Sequence, residues 1–418
     1  MSSGDPASES PQPERRADGS TDARWIAGLE PGPLRDSLLA QHQSQQQADT
    51  TQAVDPSRRA TFVFDGTGAE YFRIWAVNLL LTLLTLGVYS AWAKVRKARW
   101  FAQHTVLLGD RFDYHAEPLR LLVGRVLALG LLLLWIGSFA MSTTLGLVTL
   151  ALVCAFGPLL FASAQRFKLA NTSWRGLRFG YDVPVRRLYV VCVPLLLLWA
   201  IDRVGEAFGL SDRGQTWLWM LALLTLPWAL ARLTHLQRTH ARFGRVRFQF
   251  KPVTQDIYEV YAKSLGLAVA AVALVSLAML VYALVTTAGD PKGYPISHSV
   301  SALVCFVVVW IFVNPYIDAR IHQLVWQSTA LGPVRFESTM HPDDRRALVL
   351  RQVFRVLITG GVYWPFAAVA LARYNVESLC AITDDGPIAD LRLEGPPSPS
   401  GQAVGDGVAD AFGLDLGW

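Results

Sequence analysis

The chain has 418 residues, of which 52% are hydrophobic and only 17% charged, with a formal net charge of +5. A soluble globular domain carries roughly a quarter charged residues, so this composition excludes most soluble enzymes. Long apolar runs such as LALGLLLLWIGSF and LAVAAVALVSLAMLVYALV replace the missing charge and read as bilayer spans.

Residues 1–60 are rich in Ser, Pro, Gln, Asp and Arg and hold no apolar run, so they read as a disordered tail rather than a signal or a span. Inside that tail Leu34, Leu38 and Leu39 fall at helical spacing, a weak amphipathic signal over Pro33–Gln47. The membrane domain is expected over 61–385. Residues 386–418, with Pro387, Pro396, Pro397 and Pro399 among Asp and Gly, read as a flexible second tail.

Within the body one block recurs with a fixed ruler. PLLFASAQRFKLANTSWRGLRF from Pro158, PWALARLTHLQRTHARFGRVRF from Pro227 and PYIDARIHQLVWQSTALGPVRF from Pro315 each reach an Arg-Phe pair 20 and 21 residues on. The pairs are Arg178-Phe179, Arg247-Phe248 and Arg335-Phe336. A copy starting at Ala91 instead of proline reaches Arg111-Phe112. Pro365 opens another copy that stops near its turn, and Thr61-Phe62 supplies the part after the turn, so one copy is divided between 61–68 and 365–383. Proline removes a backbone donor and bends a helix, which predicts that the chain leaves the membrane there as a surface helix bearing Lys, Arg and Trp. The β-prone runs that follow, around a Gly-containing two-residue loop, read as hairpins. Such hairpins are too small to stand alone, so they are expected to form one β platform, with Phe62–Phe64 pairing beside Leu379–Thr383.

Six runs between the blocks are long enough to cross a hydrocarbon core of about 30 Å: 121–139, 145–164, 188–201 extending past 204, 217–236, 264–288 and 299–317. Lys and Arg number 6, 6, 7 and 6 in the hairpin-bearing segments 93–120, 165–188, 231–263 and 319–356, against Arg203, Arg213 and Lys292 in the opposite loops. The positive-inside rule therefore predicts cytoplasmic hairpins. Two further runs, 74–89 and 353–371, contain Gly-Val-Tyr breaks at Gly87 and at Gly360-Gly361, and are expected to re-enter rather than cross. The alternative is eight plain spans. The fold class is thus an α-helical multi-pass membrane protein with short cytoplasmic β-hairpins, about six full spans and two re-entrant segments.

At TLGVYSAWAKVRKARWF, with FVFDGTGAEYF before it and TVLLGDRFDY after it, the sequence resembles the YjgN-like family of bacterial inner-membrane proteins, a family of unknown function. The resemblance covers about Thr61 to Thr383; Ala91 departs from the proline common in the family. It implies an inner-membrane location and a multi-pass fold, and no particular activity.

Candidate chemistry is sparse. Asn78, Thr82, Thr85, Tyr89, Asn314 and Tyr363 are polar or amphipathic groups in apolar surroundings, and with the glycines of the breaks they are the candidate pore or re-entrant residues. His235, His240 and His322 do not align three ligands on one helical face, and Gly66-Thr67-Gly68 reads as a turn between strand and helix rather than a phosphate loop. No catalytic group, cofactor, metal or nucleic-acid partner is expected. The composition favours a channel or passive transporter of a small solute, or else a scaffold whose basic juxtamembrane helices bind anionic lipid headgroups and whose hairpins recruit a protein.

Overall fold

A computed structural model describes residues 58–289 and 298–383. The two expected tails, the amphipathic signal at 33–47 and the loop bearing Lys292 lie outside the described residues.

The hairpins form where the sequence can turn tightly. They are β2 (Thr105–Leu107) with β3 (Asp110–Tyr114), β4 (Thr172–Trp174) with β5 (Leu177–Tyr181), β6 (Ala241–Phe243) with β7 (Val246–Phe250), and β8 (Thr329–Leu331) with β9 (Val334–Ser338). Leu108-Gly109 and Arg175-Gly176 both have positive φ at the two central positions, the I′ pattern that matches strand twist. In the other two, Gly244 and Gly332 alone take positive φ, at the first position. β1 (Arg59–Phe64) and β10 (Leu379–Thr383) come from distant parts of the chain and pair with each other.

Together the ten strands close into a barrel in which every strand has two antiparallel neighbours. A closed barrel leaves no unpaired edge, which is how strands this short are kept. The expected platform is therefore corrected to a barrel, and its closing register is also corrected. Arg59–Thr61 pair with β10, whereas Phe62–Phe64 pair with Leu107, Val106 and Thr105 of β2. The reason is a stagger that recurs around the ring. Arg111, Arg178, Arg247 and Arg335 pair inside their own hairpins, with Val106, Ser173, Arg242 and Ala330. The next residues, Phe112, Phe179, Phe248 and Phe336, pair across to the following strand at Trp174, Phe243, Leu331 and Ala381. In β3, β5 and β7 the Arg-Phe pair is where the strand changes partner, and Thr61-Phe62 fills that place in β1, whereas β9 pairs with β10 along its whole length.

Helices connect the hairpins. α1 (Gly68–Leu84) and α2 (Ser90–Gln103) join β1 to β2; α3 (Pro118–Met141) and α4 (Thr143–Ala170) join β3 to β4. α5 (Val185–Trp199), α6 (Ile201–Ala207) and α7 (Asp212–Thr239) join β5 to β6. α8 (Thr254–Gly289) and α9 (His298–Gln327) join β7 to β8; α10 (Pro342–Ile358) and α11 (Trp364–Glu377) join β9 to β10. In each case the strand that is left and the strand that is reached are hydrogen-bonded neighbours. Such neighbours lie about 4.8 Å apart, far less than a hydrocarbon core of about 30 Å, so every helical excursion must start and end on one side of a bilayer. A single crossing between β1 and β2 is incompatible with their pairing. Each helical arm also packs on the next, and α11 packs on α1, so the helices form a ring in the cyclic order of the strands.

Among the described residues five helices are long and apolar enough to cross a membrane: α3, α4, α7 and the segments Thr254–Tyr282 and Cys305–Gln327. The count is six if α5 and α6, bent by 70° between Leu198 and Ile201, make one span. This is a multi-pass membrane architecture. The continuous run expected past Ile201 is thus broken. Asp202, Arg203 and Glu206 follow the bend, where Trp219 Nε1 donates to Asp202 Oδ1 at 2.8 Å and Arg203 pairs with Glu206 at 3.1 Å. Polar groups that satisfy one another outside the apolar run give the helix reason to re-aim. The prolines also act differently from expectation. Pro158, Pro227 and Pro315 lie inside unbroken helices, and only Pro365 starts one, in the first turn of α11. Neighbouring helices make an internal proline tolerable, so each of those three membrane helices runs straight into its basic surface turns without a separate element.

Candidate functional site

Side chains alternate across a strand, so the residues of each Arg-Phe pair face opposite sides of the barrel wall. The arginines lie outward: Arg111, Arg247 and Arg335 are exposed and Arg178 half-buried. Arg111 reaches Asp65 at 2.5 Å and Arg175 reaches Asp110 at 2.5 Å, ion pairs with substantial solvent contact that add little stability. The phenylalanines lie inward. Rings run in continuous contact from Phe62 to Phe112 (6.3 Å), on to Trp174 (6.0 Å) and Phe243 (5.9 Å), then to Phe179 (4.7 Å) and Phe248 (6.4 Å). These separations and tilts are those of favourable aromatic pairs.

The rings do not fill the barrel. A cavity of about 690 Å³ lies among them, and its wall extends onto α2, α4, α9 and α11. Its wall includes Lys94 and Lys97 from α2 and Gln165 and Lys168 from α4, and among the described residues no Asp or Glu. Two of its polar atoms are buried without a hydrogen-bond partner: Oε1 of Gln165, a residue 5% exposed, and Nε1 of Trp174, 9% exposed. On the opposite wall His322 Nδ1 lies 3.3 Å from Ser338 Oγ, and Asn375 accepts from Arg345. Burial raises the Tyr181 hydroxyl above its usual range and holds His240, at the end of α7, below its own, so both groups are neutral at neutral pH.

None of the sequence-picked pore residues lines this cavity. Asn78 is buried on α1 and accepts from Arg96 Nη1 of α2 at 3.4 Å, and Thr82 donates to its carbonyl at 2.6 Å. Thr85 accepts from the Tyr89 amide at 2.9 Å across a turn in which Leu86 and Gly87 take positive φ. Thr359 accepts from the Tyr363 amide at 3.1 Å across Gly360 and Gly361, also with positive φ. The two breaks are one turn written twice. Tyr89 stacks on Trp92 and Tyr363 on Phe366, and the Tyr363 hydroxyl accepts from Arg355 at 3.0 Å. Asn314 donates to Asp318 at 3.3 Å, one turn on in the same helix. Gly66-Thr67-Gly68 is a helix start, where Thr67 and Glu70 cap each other reciprocally. The cavity residues were missed because Lys94, Gln165 and Trp174 sit in the basic juxtamembrane blocks, whose inward face is defined only once the ring has closed. Period-two reading of TSW and ARF would have found Trp174 and Phe243.

Residues 59–411 match the bacterial protein family described as of unknown function, DUF898. The chain belongs to that family. This DUF898 protein is similar to the inner membrane protein YjgN of Salmonella typhimurium, 31% identical over 147 residues that cover 34% of this chain and 36% of the relative. It is also similar to the inner membrane protein YjgN of Escherichia coli K12, 30% identical over 160 residues, 37% of this chain and 38% of the relative. The aligned stretch spans little more than a third of the length of either. No solved structure matches the chain.

Proposed function

We propose that this protein is a passive conduit for a small organic solute, with the barrel on the cytoplasmic side of the inner membrane. The single observation that carries the reading is a closed barrel, joined to a closed ring of helices, whose aromatic interior retains a cavity of about 690 Å³. Cavities of roughly 300–1,000 Å³ with apolar walls and a few polar groups suit organic ligands. Among the described residues this wall carries no Asp or Glu to hold a bare cation, so a solute with an apolar body is favoured. The excess of Lys and Arg in the hairpin-bearing segments supports the cytoplasmic placement.

Uptake of organic solutes of graded polarity into proteoliposomes tests this. Rates should exceed those of empty vesicles and fall in Phe248→Trp, which narrows the interior, with no accompanying K⁺ conductance. Rates equal to empty vesicles for every solute would overturn the reading. The outward arginines favour a second reading, a scaffold that recruits an acidic partner to the barrel wall. That reading predicts salt-sensitive capture of such a partner by the wild type and loss of capture in Arg247→Glu.

A further inference from the structure

We propose that the junction of the two short helical arms, α1 with α2 and α10 with α11, binds anionic phospholipid. The phosphate headgroup lies at Arg73, Arg351 and Arg355, and the acyl chains run along the exposed apolar faces of α1 and α10. This rests on the cytoplasmic placement of the barrel proposed above and not on the conduit, since these three arginines are exposed and line no part of the cavity.

The faces of the arms define the environment. Arg351, Phe354, Arg355 and Ile358 recur at three- and four-residue spacing along α10, so they share one face, and all four are exposed. Water suits the arginines but not Phe354 and Ile358; hydrocarbon suits the reverse. The boundary between headgroups and acyl chains satisfies both. On α1 the exposed Arg73, Val77, Leu80 and Leu84 likewise share a face, with the charge toward the barrel end. At about 1.5 Å per residue, Leu84 lies roughly 16 Å along the axis from Arg73. That is about half of a hydrocarbon core of about 30 Å, so α1 fits one leaflet with Arg73 among its headgroups.

Packing brings the charged parts of the two arms together. The Phe366 ring of α11 stacks on Phe72 of α1 with centroids 5.6 Å apart, and Tyr363 stacks on Phe366 at 5.2 Å. Arg355 Nη1 donates to the Tyr363 hydroxyl at 3.0 Å. The turn of the second arm therefore lies beside the second turn of α1, where Arg73 follows Phe72. Trp75, with its ring 5.9 Å from Phe72, and the exposed Trp364 adjoin these contacts, and such rings favour the headgroup level.

Charge then selects the lipid. Residues 71–103 and 345–376 each hold five Lys or Arg and no Asp or Glu. Arg351 donates to the Ala347 carbonyl at 3.2 Å, and Arg355 to the Tyr363 hydroxyl, both neutral oxygens. A guanidinium matches a phosphate with two parallel N–H bonds, and a phospholipid brings that phosphate together with an apolar body. A free phosphate would leave Phe354, Ile358 and Leu80 uncovered. In a zwitterionic lipid the ammonium group offsets the attraction that basic side chains have for an anionic headgroup.

The test uses the full chain in maltoside micelles at about 0.1 M salt, where exposed charges still act over about 10 Å. The probes are tail-labelled fluorescent phosphatidylglycerol and phosphatidylcholine with identical acyl chains, and protein-free micelles are the blank. Phosphatidylglycerol should bind roughly tenfold tighter or more. Arg73→Gln with Arg351→Gln and Arg355→Gln should abolish most of that preference, whereas lysine at the same three positions should retain it. Arg111→Gln with Arg247→Gln, on the barrel wall, should also retain it, and glycerol 1-phosphate in excess should leave the lipid bound. Equal binding of the two lipids by the wild type overturns the proposal. So does an equal loss in the barrel-wall pair, which would make the preference a general effect of positive charge, and so does displacement by glycerol 1-phosphate alone. Lipid preference without solute flux in proteoliposomes removes the conduit and keeps this site. Flux without the preference removes the site and keeps the conduit.

Discussion

The two glycine-turned helix pairs and the three longer excursions leave the same barrel and return to it, yet they differ in reach. α1 and α10 have 17 residues each, whereas α4 and α7 have 28. At about 1.5 Å per residue that is roughly 25 Å against roughly 42 Å. The short pairs turn back through an exposed apolar tip: Leu86 is 96% exposed and Leu357 72% exposed. Strand pairing therefore fixes where an excursion begins and ends, and helix length alone fixes how far it goes. A tip of that composition at the end of a 17-residue helix is suited to hydrocarbon.

That contrast can be broken most sharply by labelling. On a background without native cysteines, Leu86→Cys should resist a membrane-impermeant maleimide from both sides, whereas Ser142→Cys, between α3 and α4, should react fully from the outer side. Reaction of Leu86→Cys from outside would make α1 and α2 a full double crossing. The next effect in size separates the barrel from the tips. Phe243 is 1% exposed, and Phe243→Ala should cost about 3–5 kcal/mol and lower the unfolding temperature or the yield of monodisperse protein. Leu86→Ala, at a tip that touches little of the protein, should leave unfolding in detergent nearly unchanged. A smaller cost falls on the turn itself. Gly361 has φ of 93°, and Gly361→Val should destabilise by roughly 1–2 kcal/mol in the same unfolding assay, because a branched side chain resists left-handed backbone. Smallest of all, Arg111→Ala removes an ion pair in which the arginine side chain is 55% exposed, and should change stability by less than about 1 kcal/mol.

Much of this arrangement could be read from the sequence because its devices are local. The constant distance from Pro158, Pro227 and Pro315 to an Arg-Phe pair, the Gly-containing loops, and the shared Gly-Val-Tyr breaks all depend on neighbours within some twenty residues. The pairing of Phe62–Phe64 with β2 rather than β10 was not legible, because it depends on a stagger that exists only in the closed ring. The candidate site was misplaced for a related reason. Asn78, Thr85 and Asn314 stand out as polar groups in apolar runs, but their hydrogen bonds serve the helices and turns that carry them. Trp174 and Gln165 are inconspicuous in a basic, aromatic surface segment, and face a cavity only because distant strands complete its wall.

Closure of the barrel by the two distant strands is the claim on which the cavity, the ring and the returning helices all depend. Thr61 and the native Cys380 are directly opposed in the β1–β10 register. Opposed residues of antiparallel strands have Cα atoms about 4.5–5.5 Å apart, within the range a disulfide bridges. With Cys154, Cys192 and Cys305 replaced by serine, Thr61→Cys should oxidise to a disulfide with Cys380 in the intact membrane, recovered as one cross-linked peptide pair by mass spectrometry. Efficient cross-linking of a control pair in one hairpin, Val106→Cys with Arg111→Cys, together with no link between positions 61 and 380, would contradict the account.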